Sequence, residues 1–168
     1  LKAQIHPHFL FNTLNNIYGM SLTGSTETPA FILRLSNMMR YILYDCRNHQ
    51  VALEKDIAFL TDYLEKEKKR YPEADIQFTV TGSREGKRIA PLLFIPFVEN
   101  SFKHGGHRIA KNGFIHGSLE LHAGHLQFCI SNDIFTAPAQ EQQYGGVGID
   151  NVKKRLGLYY PGRHALII

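Results

Sequence analysis

The chain is poor in the features that announce several common protein classes. It has two cysteines, Cys46 and Cys129, far apart and with no Cys-x-x-Cys pair. That excludes a disulfide framework or a cysteine zinc site and predicts two reduced packing residues in a cytosolic protein. No apolar stretch approaches the roughly 18 residues of a membrane span, and no signal peptide is present. No dense Lys/Arg run is interleaved with aromatics, and the net charge of +4 is modest, so no direct nucleic-acid partner is expected. Internal repeats and low-complexity tracts are missing. The histidines outside the amino-terminal run show no metal-ligand spacing: His104 and His107 lie three apart, but no carboxylate or cysteine completes a set. A Gly-Lys-Ser/Thr phosphate loop is also lacking, which excludes the Walker A type.

What is present is an ordinary globular composition, 43% hydrophobic and 20% charged over 168 residues. The length suits one domain, or a small helical module followed by one compact domain. The chain does not start with methionine, and its first residues already lie inside a helical pattern. It reads as a cytoplasmic fragment of a longer protein, so the missing membrane segment says nothing about the parent.

Helical periodicity dominates the first third. A first helix opens near Pro7, which is suited to a first turn because it needs no N–H partner there. A second, about Pro29 to Cys46, gathers Phe31, Ile32, Leu35, Met38, Met39, Ile42, Leu43 and Cys46 in one arc, with Arg34, Asn37, Tyr41 and Tyr44 opposite. Between them, Thr23 to Pro29 is a turn with capping residues. Such a hairpin buries too little apolar surface alone and should pair with a second copy or dock on the next domain. Val51 to Tyr71 predicts a third helix with Leu53, Ile57, Leu60 and Leu64 inward, and Glu65 to Arg70 as a solvated charged face. Ile76 to Thr81 alternates as a half-buried strand. A helix follows from about Pro91 to His104, interrupted or restarted at Pro96. Strands are expected at Phe114 to His122 and Leu126 to Ser131, joined by a turn at Ala123-Gly124-His125. Glycine-rich Tyr144 to Gly148 leads into a last helix to about Tyr160, and Ala165 to Ile168 resembles a strand cut short.

The densest signal is the run from Gln4 to Asn15, Gln-Ile-His-Pro-His-Phe-Leu-Phe-Asn-Thr-Leu-Asn. His8, Asn12, Asn15 and Gly19 share one helical stripe, and Leu10, Leu14, Ile17 and Tyr18 the opposite one. His8 is thereby a candidate nucleophilic imidazole one turn from an amide. The string resembles the phosphoacceptor motif of the LytS-type sensor histidine kinases, which usually carry asparagine where this chain has His6. The resemblance makes His8, and not His6, the phosphoacceptor. Asn12 then orients the imidazole or a hydrolytic water.

Further on, Phe97-Val98-Glu99-Asn100-Ser101-Phe102-Lys103-His104-Gly105 sets Asn100, Lys103 and His104 at i, i+3 and i+4. A hard cation takes oxygen ligands, amide carbonyls among them, and phosphates need positive charge. The run resembles the N box of the GHKL (Bergerat) ATP-binding fold. By that resemblance Asn100 coordinates Mg²⁺, Lys103 and His104 lie near the phosphates, and Glu99 is a general base or a metal-water contact. Gly146-Val147-Gly148-Ile149-Asp150-Asn151, followed by Arg155-Leu156, resembles the second glycine box, with Gly146, Gly148 and Asn151 toward the phosphates. Glycines admit close backbone approach, and a helix start offers unpaired N–H groups. The first glycine box, Asp-x-Gly-x-Gly, is altered: Ile130-Ser131-Asn132-Asp133-Ile134-Phe135-Thr136 holds neither glycine. Asn132 best fills the place of the adenine-binding aspartate, accepting through its carbonyl without charge assistance, and Asp133 serves if the register slips by one. A lid is expected over about Asp133 to Gly145.

Together these resemblances imply an α+β protein: a helical dimerisation and phosphotransfer hairpin over 1–50, then a two-layer α/β sandwich of GHKL type over 51–168. They imply a histidine kinase using ATP and Mg²⁺, a homodimer through the hairpin, and a response-regulator receiver domain as phosphoryl acceptor. Any membrane association lies in the absent amino-terminal region of a parent in the bacterial inner membrane. Two rivals remain: a scaffold of the same fold that no longer binds ATP, and a GHKL-type ATPase, for which the His8 motif has no use.

Overall fold

The structure is a computed structural model that describes residues 7–109, 112–133 and 146–168. The fold is α+β. In chain order it comprises α1 (Pro7–Leu22), α2 (Thr28–Tyr44), a 3-10 turn (Asp45–Arg47), β1 (Val51–Ala52), α3 (Leu53–Arg70), β2 (Asp75–Thr81), β3 (Arg88–Ile89), α4 (Ile95–Ile109), β4 (Phe114–Leu121), β5 (Leu126–Asn132) and α5 (Gly146–Tyr159). Two compact units divide these elements, Leu1–Asp62 with Gly86–Pro91, and Tyr63–Glu85 with Leu92–Ile168. The division falls inside α3. No helix among the described residues is long and apolar enough to cross a membrane.

In the first unit α1 and α2 form the expected hairpin. Its turn uses Gly24 at φ +62, a left-handed conformation that favours glycine, and Ser25 N–H donates to the Met20 carbonyl at 3.0 Å. Pro29 sits in the first turn of α2, where its missing N–H costs nothing. The buried stripe of α2 is Phe31, Leu35, Met38, Tyr41 and Ile42, whereas Ile32 and Leu43 are exposed. Tyr41 was expected on the outer face. It turns inward because its hydroxyl donates to Asp56 Oδ1 at 2.5 Å and its ring lies 5.2 Å from Phe59. Burial first, and the Asp56 carboxylate second, push the Tyr41 hydroxyl well above the usual phenol range, so it stays a donor.

The third helix begins two residues later than expected because Val51–Ala52 pairs antiparallel with Arg88–Ile89. Leu53 N–H then donates to the Lys87 carbonyl at 2.9 Å, satisfying one of the open donors of the helix start. Leu53, Ile57, Leu60 and Leu64 are all buried, as their spacing predicts. The end of α3 is not a wholly solvated face: Glu67 is only 2% exposed.

The second unit holds a three-stranded sheet in the order β2-β4-β5. β2 runs parallel to β4, so the chain crosses over through α4, and β4 pairs antiparallel with β5. The hairpin turn at 123–125 closes with His122 N–H on the His125 carbonyl at 3.0 Å. Phe128 of β5 carries Phe94 at 4.8 Å and Phe97 at 5.7 Å, fastening the start of α4 to the sheet. Ile115, Leu119, Val98 and Val152 complete that core. Gly117 lies opposite Phe78 in the parallel register, and a Cβ there would stand 2.7 Å from the Phe78 ring. Glycine in mid-strand is what lets that ring lie across β4.

Two smaller expectations fail. Cys129 stands exposed on β5 rather than packed, because alternation points it away from the α4 side that Phe128 occupies. Residues 165–168 form no strand, since no described backbone pairs with them, and Ile167 and Ile168 are exposed.

Tyr41→Phe keeps the ring and removes one donor from a buried carboxylate. The expected loss is about 1.5–3 kcal/mol in chemical denaturation. A midpoint within error of the parent protein would show that the hydroxyl does not hold α2 to α3.

Candidate functional site

The central element is α4. Pro91–Phe94 turn the chain ahead of it, with Leu92 at φ +55, and the helix restarts just before Pro96, whose missing N–H falls in the first turn. Val98, Ser101 and Phe102 face inward, Glu99 and Asn100 are half-buried, and Lys103 is exposed. The helix therefore presents Asn100 and Lys103 on its open side, one turn apart, as the i, i+3 spacing requires. An amide carbonyl and an ammonium there are the donor types a hard cation and a phosphate chain need. The His104 side chain lies outside the described residues.

The same unit places Asn132 at the end of β5, opposite Ile115 in the ladder. Its Nδ2 donates to the Asp133 carbonyl at 2.8 Å, which leaves the amide's Oδ1 as its acceptor for other groups. Asp133 is committed elsewhere. Its Oδ2 accepts from Phe114 N–H at 3.1 Å, and its own N–H donates to the Phe114 carbonyl at 3.3 Å. With that closure no slip in register brings Asp133 to the Asn132 position. The expected lid falls on residues 134–145, outside the described residues.

Gly146 and Gly148 stand within the first turn of α5, so the helix starts at the glycines instead of after them. First-turn N–H groups have no intrahelical acceptors, and the dipole there favours an anion. Asn151 is exposed in the next turn, while Val152 is buried and anchors the helix. Arg155 Nη1 donates to the Leu92 carbonyl at 3.2 Å, which ties α5 to the turn that launches α4. The Arg155-Leu156 part of the motif thus has a structural use.

His8 and Asn12 lie on α1 of the first unit, within the helix that Pro7 opens. Their side chains lie outside the described residues. The structure accordingly gathers Glu99, Asn100, Lys103, Asn132 and the start of α5 on packed elements of one unit, and sets His8 and Asn12 on the other.

Sequence reasoning missed Tyr63 and Glu67, both buried on α3. Burial first, and the carboxylates of Glu67 and Glu99 after it, push the Tyr63 hydroxyl above the usual phenol range. The i, i+4 spacing of Tyr63 and Glu67 beside Leu60 and Leu64 was the available signal, masked by the lysines around it.

Residues 1–75 match the family model described as histidine kinase. The sensor protein LytS of Staphylococcus epidermidis is 28% identical over 142 residues, 84% of this chain and 24% of that protein. Sensor protein LytS of Staphylococcus haemolyticus is 32% identical over 116 residues, 68% of this chain and 20% of the relative. The sensor histidine kinase/phosphatase LytS of Staphylococcus aureus is 32% identical over 105 residues, 62% of this chain and 18% of the relative. The chain spans about a quarter or less of the length of these relatives.

Asp133→Ala removes the carboxylate that closes the β4–β5 ladder at Phe114. A stability loss of about 1 kcal/mol is expected, with Phe114 amide exchange faster by hydrogen–deuterium exchange. Unchanged exchange at Phe114 would release Asp133 from that structural task.

Proposed function

The chain belongs to the LytS-type sensor histidine kinases, and from that premise we propose that it phosphorylates itself on His8 from ATP and passes the phosphoryl group to a response-regulator aspartate. The observation that carries the reading is the His-Pro-His-Phe-Leu-Phe-Asn string at the start of α1, inside the stretch matched by the histidine kinase model.

A ring nitrogen of neutral His8 forms the N–P bond while the bond from the γ-phosphorus to the β,γ-bridging oxygen breaks, and ADP leaves with that electron pair. The remaining ring proton passes to a base, a role for which the N-box resemblance offers Glu99. Phosphoryl transfer asks little covalent chemistry of a protein and depends on positioning and charge neutralisation. Asn100 fits a metal ligand, and Mg²⁺ held there supplies the charge neutralisation of the phosphates. Lys103 adds positive charge near the phosphates, His104 lies beside them, and the N–H groups at Gly146 and Gly148, with Asn151, receive phosphate oxygens. Asn132 Oδ1 accepts from the adenine amino group. Asn12, one turn from His8, orients the imidazole. The kinase/phosphatase name of the Staphylococcus aureus relative favours a second use of Asn12, the alignment of a water for phosphoryl removal.

The hairpin supports a homodimer. Phe11, Leu14, Tyr18 and Leu22 recur along α1 at helical spacing and are all exposed, as are Ile32, Leu33 and Leu43 of α2. An apolar stripe of this kind marks an interaction face. One observation favours a second reading, a scaffold without nucleotide: Asn132 stands where the family pattern has aspartate, and both glycines after it are replaced. Nucleotide titration separates the two.

His8→Gln is expected to abolish acid-labile labelling from γ-labelled ATP while leaving ATP affinity within about threefold. Retained labelling would move the phosphoacceptor off His8. Asn100→Ala is expected to lose the Mg²⁺-dependent part of ATP binding in calorimetry, and unchanged binding would remove Asn100 from the metal site.

A further inference from the structure

The turn that launches α4 is held in a costly backbone conformation, and one side chain of α5 is fastened to it. Leu92 has φ +55, in the left-handed region that favours glycine, just ahead of the buried Leu93 and Phe94. A branched residue keeps such a conformation only where its surroundings over-determine it. Contacts hold the turn on both sides. Phe94 stacks on Phe128 of β5 at 4.8 Å, and its carbonyl opens α4 by accepting from Phe97 N–H at 3.1 Å and Val98 N–H at 3.3 Å. The Leu92 carbonyl stands outside that helix and accepts from Arg155 Nη1 at 3.2 Å. The donor is a guanidinium, charged at any working pH, and a hydrogen bond from a charged donor is roughly twice as strong as a neutral one.

Arg155 is half-buried in the third turn of α5. At 100° per residue it lies about 40° around the helix from Asn151 and about 60° from Val152, which is buried and anchors α5. It therefore stands between the anchored face and the face of Asn151. α4 and α5 pack directly on each other within one unit. One hydrogen bond thus joins the turn ahead of the helix that carries Asn100 and Lys103 to the helix that carries Gly146, Gly148 and Asn151. Of its two ends the turn is the strained one, so losing the bond releases the start of α4 while Val152 keeps α5 in place.

We propose that Arg155 is a positioning residue for the nucleotide site: its hydrogen bond to the Leu92 carbonyl sets the start of α4 against α5, and with it the spacing between Asn100 and the phosphate-binding groups of α5. The inference rests on the reading of these residues as the Mg·ATP site. Arg155 acts through the turn and has no part in holding the nucleotide itself. A triphosphate that carries Mg²⁺ bridges the two helices and depends on their spacing. Without the metal, ATP keeps its contacts with α5 and Asn132 but has no use for Asn100.

The test is calorimetry on the complete chain with two probes, ATP with Mg²⁺ and ATP in EDTA. Arg155→Met keeps most of the side-chain stem and removes every donor. It is expected to weaken Mg·ATP binding about tenfold and metal-free ATP binding by no more than about threefold. Arg155→Lys retains one charged donor on a shorter chain, so its Mg·ATP affinity should fall between those of Arg155→Met and the parent. Equal losses for the two probes would show that Arg155 serves the fold alone, and parental Mg·ATP affinity in Arg155→Met would show that the bond sets nothing in the site. Either result overturns the proposal. A second readout does not depend on nucleotide. The Phe97 and Val98 amides, which close the first turn of α4, should exchange about tenfold faster or more in Arg155→Met, with the β4 and β5 amides unchanged. Parental exchange at both positions overturns the inference. Arg155→Lys serves in both measurements if Arg155→Met does not fold. A parental chain that binds neither probe would instead end the nucleotide reading, with the exchange at Phe97 and Val98 still deciding whether Arg155 sets the start of α4.

Discussion

Two carboxylates on one helix are taken out of water, and much of the structure answers them. Asp56 and Glu67 lie about three turns apart on α3, one in each unit, and both are almost fully buried. Removing a charge from water costs several kcal/mol unless donors or opposite charges meet it. Asp56 is met by the Tyr41 hydroxyl. That requirement turns Tyr41 inward and fixes which face of α2 is buried. Glu67 is met by Lys66, whose ammonium reaches the carboxylate and also lies over the Tyr63 ring. Leucines at both positions would give a plainer amphipathic helix, and neither Tyr41 nor Lys66 would have cause to take its present place.

This is also why hydropathy read the fold well and these two residues badly. Long elements with a repeated period were legible: the hairpin helices, Leu53, Ile57, Leu60 and Leu64 of α3, and the strands at 75–81, 114–121 and 126–132. Periodicity counts a carboxylate as solvent-facing and a tyrosine as neutral, so it left Glu67 on the outside and Tyr41 opposite the core. It is equally blind to β1 and β3, since two residues carry no period and their pairing joins Val51 to Ile89 across a long stretch of chain. The candidate site divides in the same way. Asn100 and Lys103 were legible because their relation is one turn of one helix. The burial of Tyr63 was not, because its ring meets Phe102 only when the end of α3 packs on α4.

The end of β5 shows how structural and chemical demands are divided between neighbours. The β4–β5 ladder needs an acceptor for Phe114 N–H, and Asp133 supplies it. The amide at 132 donates through Nδ2 to the Asp133 carbonyl, which an ionised carboxylate could not do, and keeps an acceptor oxygen. What is lost is charge assistance, which makes a hydrogen bond roughly twice as strong. On the proposed kinase reading, adenine recognition through Asn132 therefore leans more on the shape of the site, and on the proposed phosphate and metal contacts at α4 and α5, than it does where an aspartate fills the same place. On that reading the amide at position 132 serves the strand end through its donor and the adenine contact through its acceptor, and it weakens that contact without removing the chemistry proposed for it.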